Sequence, residues 1–428
     1  MIWTILIASL VEVSRFFYRV GLWVYGALLT LAQWFIPKAR LFVQGRRGWR
    51  MHLRAALGDR SKDVRPLVWM HCASLGEFEQ GRSLLEALRA ERPEGRLLLT
   101  FFSPSGYQVR KGYPVVDAVA YLPLDTPQNA RDFIEIVRPD VVVFVKYEFW
   151  YFYLMVLQER RVPVMALSAI FREDQHFFRW YGRWHREALR SFAHFFVQNQ
   201  LSADLLGGIG IEQVSVSGDT RLDRVLEIRR SAEPLPEIAA FVGDAPALVV
   251  GSAWPQDLRA LRAAIAWLLE KGWRVVVAPH EVDAASVARL EALLLAPARR
   301  LSGEAKPEAK ILILDRMGWL SRVYAYAALA YIGGGFGRGL HNTMEAAVYG
   351  IPVLFGDQNY MKFQEAQDLV ALGGGFALSG SEDLLACVQR LVQDANLCRE
   401  VGQVAGRYVE QHGGATRAAL ACCLGYLG

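Results

Sequence analysis

Residues 140–150 read DVVVFVKYEFW. The apolar run Val141–Val145 is too short for a helix, shows no alternation of polar and apolar positions, and stops abruptly at Lys146 and Glu148. A strand covered on both faces has this pattern, and such strands belong to parallel sheets flanked by helices.

Outward from this run the same text recurs. Before it come LVWMHCAS (67–74), RLLLTFF (96–102) and AVAYLPL (118–124); after it come VPVMALS (162–168), HFFVQN (194–199) and QVSVSG (213–218). Amphipathic stretches such as 78–90 and 128–137 separate them, as βαβ units require. A second series follows: ALVVGSA (247–253), RVVVAPH (274–280), KILILD (310–315), LAYIGGG (329–335), PVLFG (352–356) and GGGFALS (373–379). Between the series lies SAEPLPEIAAFVGDAP (231–246), rich in proline and acid and weak in periodicity, which reads as a seam. The predicted fold is α/β of the GT-B type, with two Rossmann-like domains facing a cleft and an N-terminal membrane-anchoring helical segment. The expected boundaries are 1–36 anchor, 37–229 first domain, 230–246 linker and 247–428 second domain. A chain of 428 residues is long enough for two such cores.

The anchor is read from residues 1–54. Val20–Ile36 carries no formal charge over 17 residues, at the lower edge of what spans a bilayer. Glu12, Arg15 and Arg19 precede it, so a tilted span, a re-entrant hairpin and a helix lying in the interface all fit. Residues 1–54 hold eight Lys/Arg against Glu12 alone, which leaves a net −2 for the rest of a +5 chain. A basic cluster beside an apolar segment points to anionic lipid, not nucleic acid, and places the globular part on the cytoplasmic side. Five cysteines without paired spacing fit a reducing compartment. No His/Cys spacing suggests zinc and no D-x-D pair is present, so no metal or other cofactor is expected.

In open parallel sheets ligands bind beyond the carboxyl ends of the strands, so chemistry is sought in the loops there. In IGGGFGRGLHNTME (332–345) a strand ends in glycines and a helix is expected from about His341–Asn342, a pattern suited to a phosphate, with Arg338 adding charge and Glu345 able to accept from ribose hydroxyls. A ligand-free glycine-rich connection is the plain alternative. In HCASLGEF (71–78) Ser74 and Gly76 precede Glu77, which is either a base at the cleft mouth or an acid that complements a helix dipole. Glu148 is either a cleft residue or a solvated strand end. Lesser signals at strand ends are Ser103–Gly106, Gly218–Arg221, Gly251–Ser252 and Pro279–Glu281.

Taken in order, these residues resemble the Kdo transferases (3-deoxy-D-manno-octulosonic acid transferases) over nearly the whole chain. The resemblance rests on S-x-G-E at Ser74–Glu77, S-P-S-G at Ser103–Gly106, Y-L-P-x-D at Tyr121–Asp125, E-x-W at Glu148–Trp150, V-Q-N at Val197–Asn199, G-S at Gly251, P-H-E at Pro279 and R-G-x-H-N-x-x-E ending at Glu345. The chain departs from the pattern at Tyr151-Phe152, where many relatives have Pro-Asn, and at Leu340, in place of a glycine; it also lacks an arginine between Pro279 and His280. The resemblance implies an inverting, metal-independent transfer of Kdo from CMP-Kdo to a lipid A precursor (lipid IVA) at the cytoplasmic face of the inner membrane. It implies Glu77 as general base. Gly337, Arg338, Gly339, His341 and Asn342 would hold the CMP phosphate, Glu345 the ribose, and Ser252, Pro279, His280 and Glu281 the nucleotide. Ser74, Gly76, Ser103, Ser105, Lys146 and Glu148 would lie on the acceptor side. Competing readings are another GT-B transferase, an epimerase, or a membrane-tethered nucleotide-sugar binding protein.

Overall fold

The computed structural model describes residues 2–428 except 180, 181, 305 and 338. It forms two compact units, 1–223 with 414–428, and 224–413.

The first unit is built on seven parallel strands: β1 Leu67–Cys72, β2 Arg96–Phe101, β3 Ala118–Tyr121, β4 Val141–Val145, β5 Val164–Ala169, β6 His194–Val197 and β7 Val214–Val216. Their order across the sheet is β3-β2-β1-β4-β5-β6-β7. The chain runs outward from β1 to β3, then returns to place β4 on the other side of β1, so the β1/β4 border is the switch point where a crevice opens. The strands are Val- and Leu-rich because both faces are covered. Trp69 and Phe144 point into one core, while Met70 and Val143 point into the other. The helices that matter here are α1 Ile2–Ala32, α2 Pro37–Gly45, α3 Trp49–Leu57, α4 Leu75–Glu91, α5 Pro104–Arg110, α6 Pro127–Val137 and α7 Tyr151–Glu159.

The second unit repeats the plan with β8 Ala247–Ala253, β9 Arg274–Pro279, β10 Ala298–Arg300, β11 Ile311–Ile313, β12 Leu329–Ile332, β13 Val353–Gly356 and β14 Gly375–Leu378. The order is β10-β11-β9-β8-β12-β13-β14, again all parallel, with its switch point between β8 and β12.

Two features differ from the sequence reading. The second domain was expected to run to residue 428, but the C-terminal helix Ala415–Leu427 packs in the first unit, burying Ala419 and Cys423 against its core. Asp223 ties it there by accepting from the backbone N–H of Gly414 (2.5 Å) and Thr416 (2.6 Å). The stretch expected as linker, 230–246, contains the helix Pro236–Val242, which buries Ile238 within the second unit. Among the described residues no single helix is long and apolar enough to cross a membrane; Val13–Ala32 and Pro37–Gly45 form a pair bent by 119°.

α1 is not a core helix. Phe16, Phe17, Trp23, Leu28 and Leu31 stand exposed along it, with Trp34 and Phe35 just after it. Its other side is fastened. The Tyr18 hydroxyl donates to the buried Asp125 (2.7 Å), and the Arg15 Nε to the Tyr151 hydroxyl (2.5 Å). Asp125 also accepts the N–H groups of Phe152 and Tyr153 at the start of α7. The Tyr18 ring packs on Tyr151, Phe152 and Trp184. The Tyr151-Phe152 departure therefore supplies the aromatic seat of α1.

Candidate active site

In the first unit the loops after β1 and β4 meet at the switch point. Ser74 is the N-cap of α4: its side chain accepts from the Glu77 N–H, and Glu77 Oε2 accepts in return from the N–H groups of Ala73 (2.5 Å) and Ser74 (3.2 Å). This is a capping box, so the structural role foreseen for Glu77 is present. It does not consume the carboxylate, because among the described residues nothing donates to Oε1. Burial, and then repulsion from Glu148, raise the Glu77 carboxyl to about 7 against an ordinary 4.5, opposed by the N–H groups of Ala73 and Ser74 and then by Lys146. A carboxylate that titrates near neutrality at a strand-end crevice has the strength a general base needs.

Glu148 is held from two sides. Its Oε2 accepts from the Trp150 indole (2.6 Å) and pairs with His71 Nε2 (3.1 Å). His71 is fully buried in β1 and its Nδ1 meets the Thr100 hydroxyl (2.8 Å), which also accepts from the Trp69 indole. A chain Trp69–Thr100–His71–Glu148–Trp150 thus fixes the second acid. Sequence reasoning assigned His71 no role; the only signal was a histidine inside an otherwise apolar strand. Lys146 takes a left-handed backbone angle (φ 64°) directly after β4. Ser103 caps α5, and its hydroxyl meets that of Ser105 (2.8 Å). Gly76 occupies the first turn of α4. Beside Glu148 a pocket of about 400 Å³ is lined by Tyr147, Trp150, His176, Trp184 and His185, the kind of aromatic wall on which sugar rings stack.

The Glu148 charge raises Glu77, so Glu148→Gln should lower it. Activity carried by deprotonated Glu77 falls below pH 7 in the native chain. In Glu148→Gln that acid limb should move to lower pH, whatever happens to the maximum, and a pH–rate profile of the two proteins checks it.

In the second unit the loops after β8, β9 and β12 come together. Gly333 N–H donates to the Gly251 carbonyl, continuing the sheet for one residue. The loop then folds on itself, with the N–H groups of Gly337 and Gly339 on the Gly334 carbonyl and that of His341 on the Gly333 carbonyl. The Trp254 ring stacks on His280 (centroids 4.3 Å apart), and His280 lies 4.6 Å from His341, to which the Trp254 indole also donates (3.4 Å). Burial and the neighbouring His280 lower His341 to about 4, so this group is neutral at pH 7. Glu281 accepts from Ser286, which accepts from Arg289, beside a pocket of about 360 Å³. Ser252 (φ 51°) is the last residue but one of β8, and its carbonyl oxygen lies 2.2 Å from where a Gly333 Cβ would be.

The helix after the glycines starts at Met344, not His341–Asn342, and is one turn long, Met344–Ala347. Asn342 accepts from the Met344 N–H and donates to Glu345 Oε1, a turn that holds the chain out of the helix. No helix N-terminus therefore stands at His341–Asn342, where the sequence reading expected one to face an anion; a loop of glycine backbone lies there. Arg338 lies outside the described residues. Pro279 ends β9 next to His280.

The residue that the sequence reading missed here is Asp257. It is fully buried and accepts from the N–H groups of Trp254 (2.9 Å) and Gly334 (3.0 Å) and from the Tyr331 hydroxyl (2.9 Å).

Residues 47–224 match the family described as 3-deoxy-D-manno-octulosonic-acid transferase (Kdo transferase), N-terminal part. A 3-deoxy-D-manno-octulosonic acid transferase of Bordetella pertussis is 28% identical over 394 residues, covering 84% of this chain and 87% of the relative. One of Chlamydia trachomatis serovar A is 26% identical, covering 77% and 78%. In fold the chain is similar to the UDP-GlcNAc 2-epimerase of Neisseria meningitidis solved with UDP-GlcNAc, with a TM-score of 0.58 at 15% identity, covering 84% of this chain and 100% of that one. That likeness supports the two-sheet GT-B architecture alone.

Proposed function

Because this chain belongs to the 3-deoxy-D-manno-octulosonic acid transferase family, a family of glycosyltransferases, we propose that it moves Kdo from CMP-Kdo to a hydroxyl of the lipid A precursor lipid IVA, with inversion and without a metal, at the cytoplasmic face of the inner membrane. The observation that carries the reading is Glu77. Its Oε2 is committed to the cap, its Oε1 is uncommitted, and its carboxyl is raised to about 7. Such a group takes the proton from an acceptor hydroxyl as that oxygen attacks the anomeric carbon. The anomeric carbon of Kdo is a ketose centre bearing a carboxylate, so its transition state resembles an oxocarbenium ion and needs little more than a base and a stabilised leaving group.

The leaving CMP is assigned to the second unit. The glycine loop 333–339 gives its phosphate room for close approach, Asn342 and Glu345 follow at the ribose, and the Trp254–His280–His341 stack offers the base a flat wall. Arg338 is assigned to the phosphate from its place in the motif. Ser74, Gly76, Ser103, Ser105, Lys146 and Glu148 are assigned to the acceptor. Metal independence is part of the proposal and follows from the family resemblance and from the lack of a D-x-D pair in the sequence. Membrane attachment is supported by the exposed aromatic side of α1 and the basic residues after it.

The test is direct. Detergent-extracted protein is incubated with a CMP-Kdo generating system and tetraacylated lipid A precursor, and the lipid is weighed by mass spectrometry. The expected result is a gain of whole Kdo residues that needs no added metal and survives a chelator. No gain on any lipid A acceptor ends the proposal.

A further inference from the structure

Beneath α1 lies a groove of about 1110 Å³, slightly larger than ordinary ligand clefts of roughly 300–1,000 Å³. Its walls are α1 from Phe16 to Thr30, α2, and the segment Leu124–Arg131 that leads into α6. Val20, Leu22, Leu29, Phe42 and Leu124 make it apolar, and the small Ala27 is among its lining residues. Three arginines line it, Arg19, Arg46 and Arg131, and no Asp or Glu does. Arg19 and Arg131 are exposed at the rim and have no acidic partner among the described residues.

Arg46 also lines the groove, and among the described residues no carboxylate pairs with it either. Its guanidinium donates to the carbonyls of Phe42 (3.1 Å), Leu122 (2.9 Å) and Phe102 (2.7 Å) and lies over the rings of Phe42, Phe102 and Tyr121. Those contacts lead to the acceptor side. Phe102 immediately precedes Ser103, its ring packs 4.7 Å from that of Trp150, and the Trp150 indole donates to Glu148. The groove is therefore lined mostly by apolar side chains, carries three arginines, and is joined through Arg46 to the residues beside the candidate base.

We propose that this groove holds an acyl chain of the phosphorylated lipid acceptor, with a phosphate of the same molecule against Arg19 and Arg131. An apolar slot receives the chain, and guanidinium groups without internal partners receive the phosphate. The contact path through Arg46, Phe102 and Trp150 places the sugar end of that molecule near Glu148. The inference rests on the acceptor being the lipid named above.

The experiment uses the full chain in detergent and a tetraacyl disaccharide bisphosphate carrying a photoactivatable diazirine in an acyl chain. Cross-links are mapped by mass spectrometry, and Kdo transfer is measured in parallel. Label should fall within 16–30, 42–46 and 124–131. Ala27→Trp, which fills the groove, should remove most of it and raise KM for the acceptor about tenfold. Arg131→Glu should raise KM for the bisphosphate more than for its dephosphorylated analogue. Label spread over the outer side of α1 and unchanged by Ala27→Trp overturns the proposal, as does equal displacement by phosphatidylethanolamine. Groove labelling without any Kdo transfer by the native chain keeps the lipid site and removes the function assigned to it; transfer with label elsewhere does the reverse.

Discussion

Glu77→Gln should lower kcat by about 10²–10⁴-fold, the usual contribution of a general base, while leaving the first unit folded and CMP binding unchanged. The capping box makes the glutamine variant the informative one. Its amide carbonyl can still accept from the Ala73 and Ser74 N–H groups that Oε2 accepts from now, so the helix start survives and only the basic oxygen is lost. Glu77→Ala removes both functions and should cost in addition about 1 kcal/mol for the lost cap. Stability gives a second readout, with a definite sign. The folded carboxyl is raised to about 7 from 4.5, so its contribution is fully present below pH 4.5 and is lost as pH rises through 7. At pH 8 the native chain carries that loss and Glu77→Gln does not. The variant should then unfold at a temperature no lower than the native chain while being nearly inactive. Retained turnover in a folded Glu77→Gln protein would leave the carboxylate as a cap and nothing more.

The way Glu77 combines a helix cap with a base shows what the sequence could and could not convey. The runs that became β1, β4, β8 and β9 were legible because strands covered on both faces must be continuously apolar, and Val and Leu fill them. β10 is Ala-Arg-Arg at the sheet edge, too short and too charged to announce itself. The helix Ala415–Leu427 reads as apolar, which signals burial but not the partner; that it returns to the first unit depends on Asp223, almost two hundred residues away. The acids and glycines at strand ends were visible as types. The His71–Glu148 pair was not, because its members are 77 residues apart and only the β1/β4 register brings them together. The glycine motif was legible as a loop, but a helix start three residues too early was inferred, since Asn342 looks like an ordinary cap until its bonds to Met344 and Glu345 are seen.

Asp257 was passed over because an acid in the first turn of the helix Pro255–Glu270 is what any helix dipole invites. Its actual work is to hold the glycine loop, and Asp257→Ala should therefore cost about 3–5 kcal/mol and abolish measurable CMP binding. The side chain is fully buried, and its removal strands three donors, the N–H groups of Trp254 and Gly334 and the Tyr331 hydroxyl. The loop has no slack with which to find new partners. A Cβ on Gly333 would lie 2.2 Å from the Ser252 carbonyl oxygen, one on Gly335 2.5 Å from the Gly356 backbone, and Gly334 sits at φ +89°. Asp257→Asn separates charge from geometry. The amide oxygen can keep both backbone N–H groups while the amide nitrogen donates to the Tyr331 hydroxyl, which reverses its role. Burial already raises the Asp257 carboxyl, so losing the charge is tolerated, and this variant should stay within about 1 kcal/mol of the native chain and bind CMP. Denaturant unfolding, CMP titration calorimetry and hydrogen exchange at residues 333–341 read the three proteins. Rapid exchange confined to those amides in Asp257→Ala is expected if the acid anchors the loop, whereas equal loss of stability in both variants would mean that its charge, not its hydrogen bonds, does the holding.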